Sequence, residues 1–137
     1  MICLEGKTIG LRNSELLIII PAYNESGNIE KTIKMIEEHT PEFDYVIIND
    51  CSTDQTLEIC RNNNFNVIDL PINLGIGGAV QTGYQYAVKN GYQYAVQVDG
   101  DGQHNPEFIR KMLQVLQEKN VNMVIGSRFI ENQGFQS

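Results

Sequence analysis

Two aspartates separated by one glycine, Asp99 and Asp101, carry the sharpest chemical signal in the sequence. In an extended chain, side chains at positions i and i+2 point the same way, with Cα atoms roughly 6.6 Å apart. The glycines that follow each acid, Gly100 and Gly102, let the backbone bend so that both carboxylates approach one centre. Bringing two such charges within ~4 Å costs about 4 kcal/mol at an effective dielectric constant of roughly 20. A divalent cation removes that cost, and oxygen ligands suit Mg²⁺ or Mn²⁺, with Gln103 offering a third oxygen.

The alternative for this acidic segment is a solvated turn without a ligand. An EF-hand calcium loop is excluded by counting from Asp99, because its sixth position is His104 rather than glycine and its twelfth is Arg110 rather than glutamate. The two histidines, His39 and His104, lie far apart in the sequence, and no serine or cysteine has an evident histidine partner. The sequence therefore indicates a metal site rather than a nucleophilic triad.

A glycine cluster at residues 75–78 precedes an apolar helical pattern and is typical of a loop that binds phosphate on backbone N–H groups. The dinucleotide fingerprint G-x-G-x-x-G is not met, since Val80 stands where the last glycine should be, and no P-loop motif is present. The alternative is close packing of a helix against a strand through Ala79, Gly83 and Ala87. Both interpretations can hold together.

Four further residues have a functional and a structural interpretation. Asp50 either contacts a ligand or caps the helix that follows it, and Glu25 either contacts a ligand or matches the dipole of a helix as a first-turn acid. Tyr23 belongs either to a site or to the core. Arg128, a lone cation at a predicted strand end in an acidic chain, pairs either with a phosphate or with an acid.

The elements that position these residues alternate between strand and helix. Short apolar runs predict strands over residues 16–21, 45–48, 66–70, 94–98 and 121–125. Helical spacing of apolar residues predicts helices over residues 29–36, 53–64, 79–88 and 105–116, and Ser52 and Gln55 have the spacing of a capping box at the second helix. This alternation predicts an α/β fold with a mostly parallel sheet and helices on both faces. Residues 1–14 are expected to be a leader or an edge strand.

Every predicted strand ends in polar or glycine-rich residues. These segments cover residues 21–25, 49–52, 73–78, 99–104 and 126–128. Ligands of open parallel sheets bind beyond the carboxyl ends of the strands, so we expect one site along that edge.

The composition limits the classes of partner. With 137 residues the chain forms one domain. Ten Lys and Arg against 17 Asp and Glu give a net charge of −7, which argues against nucleic acid or an anionic membrane surface as the main partner. Three cysteines and no signal pattern predict a reduced, cytoplasmic location. The longest aliphatic run covers residues 16–20, far short of the ~20 residues that span a bilayer.

Taken together and in order, five segments resemble the family 2 nucleotide-sugar glycosyltransferases. They are residues 21–25 (PAYNE), 49–54 (NDCSTD), 73–83 (NLGIGGAVQTG), 99–104 (DGDGQH) and 126–129 (GSRF). The similarity covers roughly residues 15–130 and is greatest to the branch of polyprenyl-phosphate sugar transferases. It implies the glycosyltransferase A-type fold, with residues 15–137 as the N-terminal, donor-binding portion of the domain.

The resemblance implies a reaction as well as a fold. The enzyme would transfer a sugar from a UDP- or GDP-linked donor to a lipid-phosphate or saccharide acceptor. The transfer would depend on Mg²⁺ or Mn²⁺ and would invert the anomeric centre. It would belong to cell-envelope polysaccharide biosynthesis. The expected donor-binding residues are Pro21, Ala22, Tyr23, Glu25, Asp50, Gly78, Asp99 and Arg128. Among these, Ala22, Tyr23 and Glu25 would border the base and ribose, and Asp50 would contact the base. The expected metal ligands are Asp99, Asp101 and Gln103.

Two features depart from the family pattern. The usual acid and the usual glycine of the second segment are Asn49 and Cys51 here. Family members also continue into an acceptor-binding segment that supplies the catalytic carboxylate, whereas this chain stops at Ser137. We therefore expect the base to lie beyond Ser137, the chain to bind donor but turn over poorly, and the parent protein to associate with the cytoplasmic face of a membrane. A homodimer through an open sheet edge is also expected.

Two other functions remain open at this stage. A nucleotidyltransferase would need a glycine-rich basic loop after the first strand, and residues 21–25 contain no lysine, arginine or glycine. A non-catalytic nucleotide-binding module is the second alternative.

Overall fold

The computed structural model describes residues 2–3, 15–99 and 106–119 of the 137-residue chain. In chain order its elements are β1 (Ile2–Cys3), β2 (Leu16–Ala22), α1 (Ile29–His39), β3 (Asp44–Asn49), α2 (Thr56–Asn62), β4 (Val67–Asp69), α3 (Gly75–Lys89), β5 (Tyr94–Gln97) and α4 (Pro106–Lys119). Four predicted strands are confirmed to within two residues at each end. The strand predicted over residues 121–125 lies outside the described residues.

The five strands form one sheet in the order β1-β5-β2-β3-β4. Strands β2, β3, β4 and β5 run parallel, and β1 pairs antiparallel with β5 at the sheet edge. The chain passes from β2 through β3 to β4 and then returns to the other side of β2. The strand order therefore reverses between β2 and β5, the kind of position at which open α/β sheets bind ligands.

Both faces of the central strand β2 are buried, as its uninterrupted apolar sequence predicts. Leu16, Ile18 and Ile20 pack in the cluster that contains the apolar residues of α1, α2 and α4. Leu17 and Ile19 pack in the opposite cluster, with the small residues of α3. Helices thus cover both faces of the sheet, and the predicted architecture is confirmed. Within the described residues, no helix has both the length and the apolar character to cross a bilayer.

The predicted start of α2 and its capping box are wrong. The helix begins at Thr56 rather than near residue 53, and its N-cap residue, Gln55, forms no side-chain cap hydrogen bond. The Ser52 hydroxyl instead donates to Asn49 Oδ1 at 2.6 Å and accepts the Asn24 N–H at 3.0 Å. Ser52 therefore forms contacts between the segments that follow two strands. Local sequence spacing cannot distinguish a serine in this role from a serine that caps a helix. Helix α3 also differs from expectation, because it begins at Gly75 and includes the glycine cluster.

Close packing of α3 on the sheet is confirmed. Ala79 and Ala87 are fully buried, and Gly83 lies directly over β2. A Cβ atom at Gly83 would lie 2.3 Å from Ile19 Cγ2, too close for any side chain without movement of the helix or the strand. The absent side chain therefore sets the distance between α3 and β2.

Substituting Gly83 by alanine tests this contact. We expect Gly83→Ala to lower the free energy of unfolding by about 2 kcal/mol, because overpacking a rigid core contact forces the elements apart. The matched control is Gly77→Ala in the same helix, where a Cβ would meet nothing within 4 Å. That control should raise stability by up to about 1 kcal/mol through helix propensity. Urea denaturation measures both, and equal changes in the two variants would contradict the packing argument.

Candidate functional site

A cleft of about 260 Å³ lies where the strand order reverses, at the carboxyl ends of β2 and β5. Among the described residues it is lined by Pro21, Ala22, Tyr23, Glu25, Asp50, Ile76, Ala79 and Asp99. Six of the eight residues expected to bind a donor from the sequence therefore meet in one place. Gly78 is not part of this lining, and Arg128 lies outside the described residues.

The register of the sheet brings these residues together. The Val98 N–H donates to the Ile19 carbonyl at 2.9 Å, which extends the pairing of β5 with β2 and delivers Asp99 beside the end of β2. On the other side of β2, the Asp50 N–H donates to the Ala22 carbonyl at 2.9 Å. Parallel pairing on both sides of one strand thus places two acids next to Ala22.

The sequence interpretation missed Ile76 and Ala79 as parts of the cleft wall. Both belong to α3, which was expected to begin at residue 79, so Ile76 was assigned to a turn. The exposed side chain of Ile76 instead stands on the first turn of the helix and faces the cleft. Gly78 has a structural explanation, because a Cβ there would lie 2.6 Å from Leu74 Cβ.

The Asp50 carboxylate caps α3. Its Oδ1 accepts the Leu74 N–H at 2.6 Å and its Oδ2 accepts the Gly75 N–H at 2.9 Å, while the residue is 4% exposed. The prediction that Asp50 caps α2, the next helix in sequence, is wrong, because the helix that it caps is α3, which follows β4. A carboxylate at this position neutralises the positive end of the helix dipole. Asp50 thus occupies the first N–H groups of the segment that was expected to bind phosphate.

The described lining of the cleft is acidic. Glu25, Asp50 and Asp99 contribute carboxylates, and no lysine, arginine or histidine belongs to this part of the wall. Carboxylate oxygens are the ligand type that a hard divalent cation prefers, and of the expected metal ligands Asp99 lies in this wall. Asp101 and Gln103, the other expected ligands, lie outside the described residues, and within the described ranges no three potential ligand side chains cluster.

Asn49, the residue where the family pattern has an acid, forms two side-chain hydrogen bonds. Its Nδ2 donates to Asp69 Oδ1 at 2.8 Å, and its Oδ1 accepts the Ser52 hydroxyl at 2.6 Å. The side chain is 1% exposed, so each of these contacts is needed to offset its burial. An acid ionised at position 49 could not donate this hydrogen bond to Asp69.

Cys51 has a left-handed backbone conformation, with a φ of 59°. Glycine adopts this region without cost, whereas a residue with a Cβ is strained there by about 1 kcal/mol. The thiol donates weakly to the Pro71 carbonyl, with an S to O distance of 3.6 Å. The geometry therefore explains in physical terms why the family pattern has glycine at this position.

Two titratable side chains close to these loops have strongly shifted pKa values. Partial burial acts to raise the pKa of Asp54, but hydrogen bonds from Thr56 and Ser26 outweigh it and lower the pKa to about 2. Burial raises the pKa of the Cys60 thiol to about 11. Asp54 is thus a carboxylate at neutral pH, and Cys60 is a protonated thiol that cannot act as a nucleophile there.

A substitution at Asn49 tests the contact with Asp69. Asn49→Asp would place two carboxylates at hydrogen-bond distance, and we expect the free energy of unfolding at pH 7.5 to fall by about 1–2 kcal/mol, since solvent at the exposed Asp69 screens part of the repulsion. Repulsion raises the pKa of such a pair in the folded state, so the loss should shrink as the pH is lowered toward 5. The double variant Asn49→Asp with Asp69→Asn restores one donor and one acceptor. Urea denaturation should show its stability recovering, and a double variant as unstable as the single one would contradict this account.

The strain at Cys51 gives a second prediction. Cys51→Gly should be more stable than Cys51→Ala by about 1 kcal/mol, because both lack the thiol and only glycine relieves the left-handed backbone. Thermal unfolding of the two variants measures the difference. A Cys51→Gly protein less stable than the alanine variant would show that the backbone is not strained at this position.

Comparison with known proteins places this geometry in context. A family model described as glycosyl transferase family 2 matches residues 17–137. The undecaprenyl-phosphate mannosyltransferase of Micrococcus luteus is 30% identical to this chain over 118 residues, which cover 82% of this chain and 48% of that protein. The chain spans about half the length of the curated relatives it matches.

Two solved structures share the fold. The crystal structure of TarS residues 1–349 from S. aureus, in complex with UDP, superposes with a TM-score of 0.62 at 28% identity over 77% of this chain and 32% of that one. The mannosyltransferase PcManGT from Pyrobaculum calidifontis, in complex with GDP-Man and Mn²⁺, gives a TM-score of 0.66 at 19% identity over 94% of this chain and 41% of that one. The expected A-type glycosyltransferase fold is thereby confirmed.

Proposed function

The chain belongs to glycosyl transferase family 2, and from this premise we propose that it is the donor-binding part of an enzyme that transfers a sugar from a UDP- or GDP-linked donor. The observation that carries the proposal is the cleft at the reversal of strand order. Six of the residues to which the family resemblance gives a donor-binding role line it together. In a parallel α/β sheet, this is the position where a nucleotide binds.

The cleft offers a suitable surface for the nucleoside. Tyr23 is 49% exposed and Ile76 is 64% exposed, so both present apolar area to a base. Beside them, the Glu25 and Asp50 carboxylates are acceptors for N–H and hydroxyl groups of a base or ribose. The complex of TarS with UDP, a structure of the same fold, supports a nucleotide in this role.

The diphosphate of the donor needs positive charge, and we propose that Mg²⁺ or Mn²⁺ supplies it. Asp99 lies in the cleft, and we propose Asp101 and Gln103 as the remaining protein ligands. A cation held there would stabilise the charge that develops on the leaving diphosphate. The Mn²⁺ in the PcManGT complex supports this choice of cofactor. We also propose Arg128 as a partner of the phosphates and a single displacement with inversion at the anomeric carbon.

For the acceptor, we propose a polyprenyl phosphate rather than a free saccharide. The support is the named activity of the Micrococcus luteus relative, which acts with undecaprenyl phosphate. An enzyme that uses such an acceptor would act at the cytoplasmic face of a membrane, in the assembly of envelope polysaccharides. A homodimer through an open sheet edge stays a prediction, which light scattering of the purified chain checks.

Calorimetry tests the donor site directly. The folded chain should bind UDP or GDP in the presence of Mn²⁺ and bind it more weakly without the ion. Asp99→Asn and Asp101→Asn should each weaken binding in Mn²⁺ by at least about tenfold, because a ligand of the cation is lost.

The control removes the same charge elsewhere. Glu38→Gln lies on the exposed face of α1, away from the cleft, and should bind like the unsubstituted chain. A folded chain that binds neither nucleotide would refute the proposed function. Binding that is equally strong with and without Mn²⁺ would refute the role of the metal.

A further inference from the structure

Three successive backbone N–H groups after β2 all donate to side chains from the segment after β3. The Asn24 N–H donates to Ser52 Oγ at 3.0 Å, the Glu25 N–H to Thr56 Oγ1 at 2.9 Å and the Ser26 N–H to Asp54 Oδ2 at 3.1 Å. These partners are 28 to 31 residues away in the sequence. We call the set of Ser52, Asp54 and Thr56, with the three amides they bind, the interloop clasp.

A further hydrogen bond joins the same two segments with the donor and acceptor segments exchanged. Asn24 Oδ1 accepts the Thr53 N–H at 2.8 Å, so the two segments hold each other through Asn24. This residue has a left-handed φ of 55°, a conformation that asparagine tolerates better than most residues. Asp54 Oδ1 accepts the Thr56 N–H at 2.9 Å and the Thr56 hydroxyl, which fixes the hydroxyl that in turn binds Glu25.

Ser52, Asp54 and Thr56 are not part of the described cleft wall, but they bind the segment that carries two residues of that wall. Tyr23 and Glu25 lie on either side of Asn24, and both belong to the cleft wall. The backbone at residues 24–26 has no strand or helix to fix it. The Glu25 carbonyl accepts the N–H groups of Asn28 and Ile29 at the start of α1, and the amides of residues 24–26 are held by acceptors from the neighbouring segment. The placement of Tyr23 and Glu25 therefore depends in part on those acceptors.

We propose that Asp54 is a positioning residue for nucleotide binding, which acts by fixing the backbone at residues 24–26 so that Tyr23 and Glu25 face the ligand. This inference rests on the proposed function of the cleft. Asp54 does not touch the cleft and is therefore not proposed as a ligand of metal or nucleotide. Both of its carboxylate oxygens are used, one toward Thr56 and one toward Ser26.

Asp54 stays ionised over the pH range in which enzymes are assayed. Its ordinary pKa of 3.8 is lowered to about 2 by the hydrogen bonds of the clasp, which outweigh the effect of burial. A lowered pKa means that its contribution to stability is present above about pH 4 and is lost as the pH falls toward 2. Experiments at pH 7 therefore observe the intact clasp.

Asp54→Asn selectively removes one hydrogen bond of the interloop clasp, the one that the Ser26 N–H donates. An amide has one acceptor oxygen, so the variant can bind Thr56 as before but presents N–H donors to the Ser26 N–H. We expect the affinity for UDP or GDP in Mn²⁺ to fall roughly tenfold, the range seen when supporting residues of a site are removed. We also expect the Ser26 amide to exchange its hydrogen with solvent at least about tenfold faster, since it loses its acceptor.

The matched control is Glu58→Gln, which removes the same charge from an exposed position on α2. It should change neither nucleotide affinity nor the exchange of the Ser26 amide. A second pair of variants, both at Thr56, tests the interloop clasp without a change at Asp54. Thr56→Val removes the acceptor of the Glu25 amide and should weaken binding, whereas Thr56→Ser keeps the hydroxyl and should bind like the unsubstituted chain.

The outcomes separate this inference from the proposed function. If the unsubstituted chain binds no nucleotide, the proposed function fails and the positioning role fails with it. If that chain binds and folded Asp54→Asn binds equally well, the positioning role alone is overturned, even where the melting temperature drops. Unchanged exchange at Ser26 in Asp54→Asn would show that the clasp does not hold this backbone and would also overturn the inference.

Discussion

The parallel pairing of β2 with a strand on each side is the constraint on which the rest of the molecule depends. Ile19 pairs with Val46 of β3 and with Gln97 of β5, so one register fixes three strands at once. A shift by one residue would turn every side chain of β2 to the opposite face. Both faces are fully buried, and α3 meets Ile19 at the one glycine that allows the contact. The same register brings Ala22, Asp50 and Asp99 to one edge, so packing in the core defines the geometry of the cleft.

Patterns that depend on burial could be predicted from the sequence. The strands are apolar because both faces of the sheet are covered, and the polar residues at their ends could be assigned to one edge without any knowledge of side-chain contacts. Contacts between distant segments could not be predicted. Ser52 fits the spacing of a helix cap, yet its partners are Asn49 and the amide of Asn24. Asp50 caps a helix that begins 25 residues later, which no local pattern encodes.

The departures from the family pattern show how one polar group constrains another. Asn49 is buried between Asp69 and Ser52, and only an amide can donate to the first while accepting from the second. The identity of residue 49 is therefore tied to an acid on the neighbouring strand β4 rather than to the ligand alone. Cys51 is a different case, because the backbone geometry of the loop is retained at a conformational cost that glycine avoids. The partners of Asn49 thus explain the amide at that position, whereas nothing in the structure explains the cysteine at position 51.

Proteins bind phosphate groups with basic side chains, with helix N-termini or through a bound cation. In the described part of the cleft wall, the charged side chains are all carboxylates. The first turn of α3 reaches the cleft through Ile76, and Asp50 already occupies the N–H groups of Leu74 and Gly75 with its own charge. A diphosphate entering this wall would meet three like charges, each of which repels it. A divalent ion on Asp99, as proposed, would reverse that sign locally and would make binding of the nucleotide and of the metal mutually dependent.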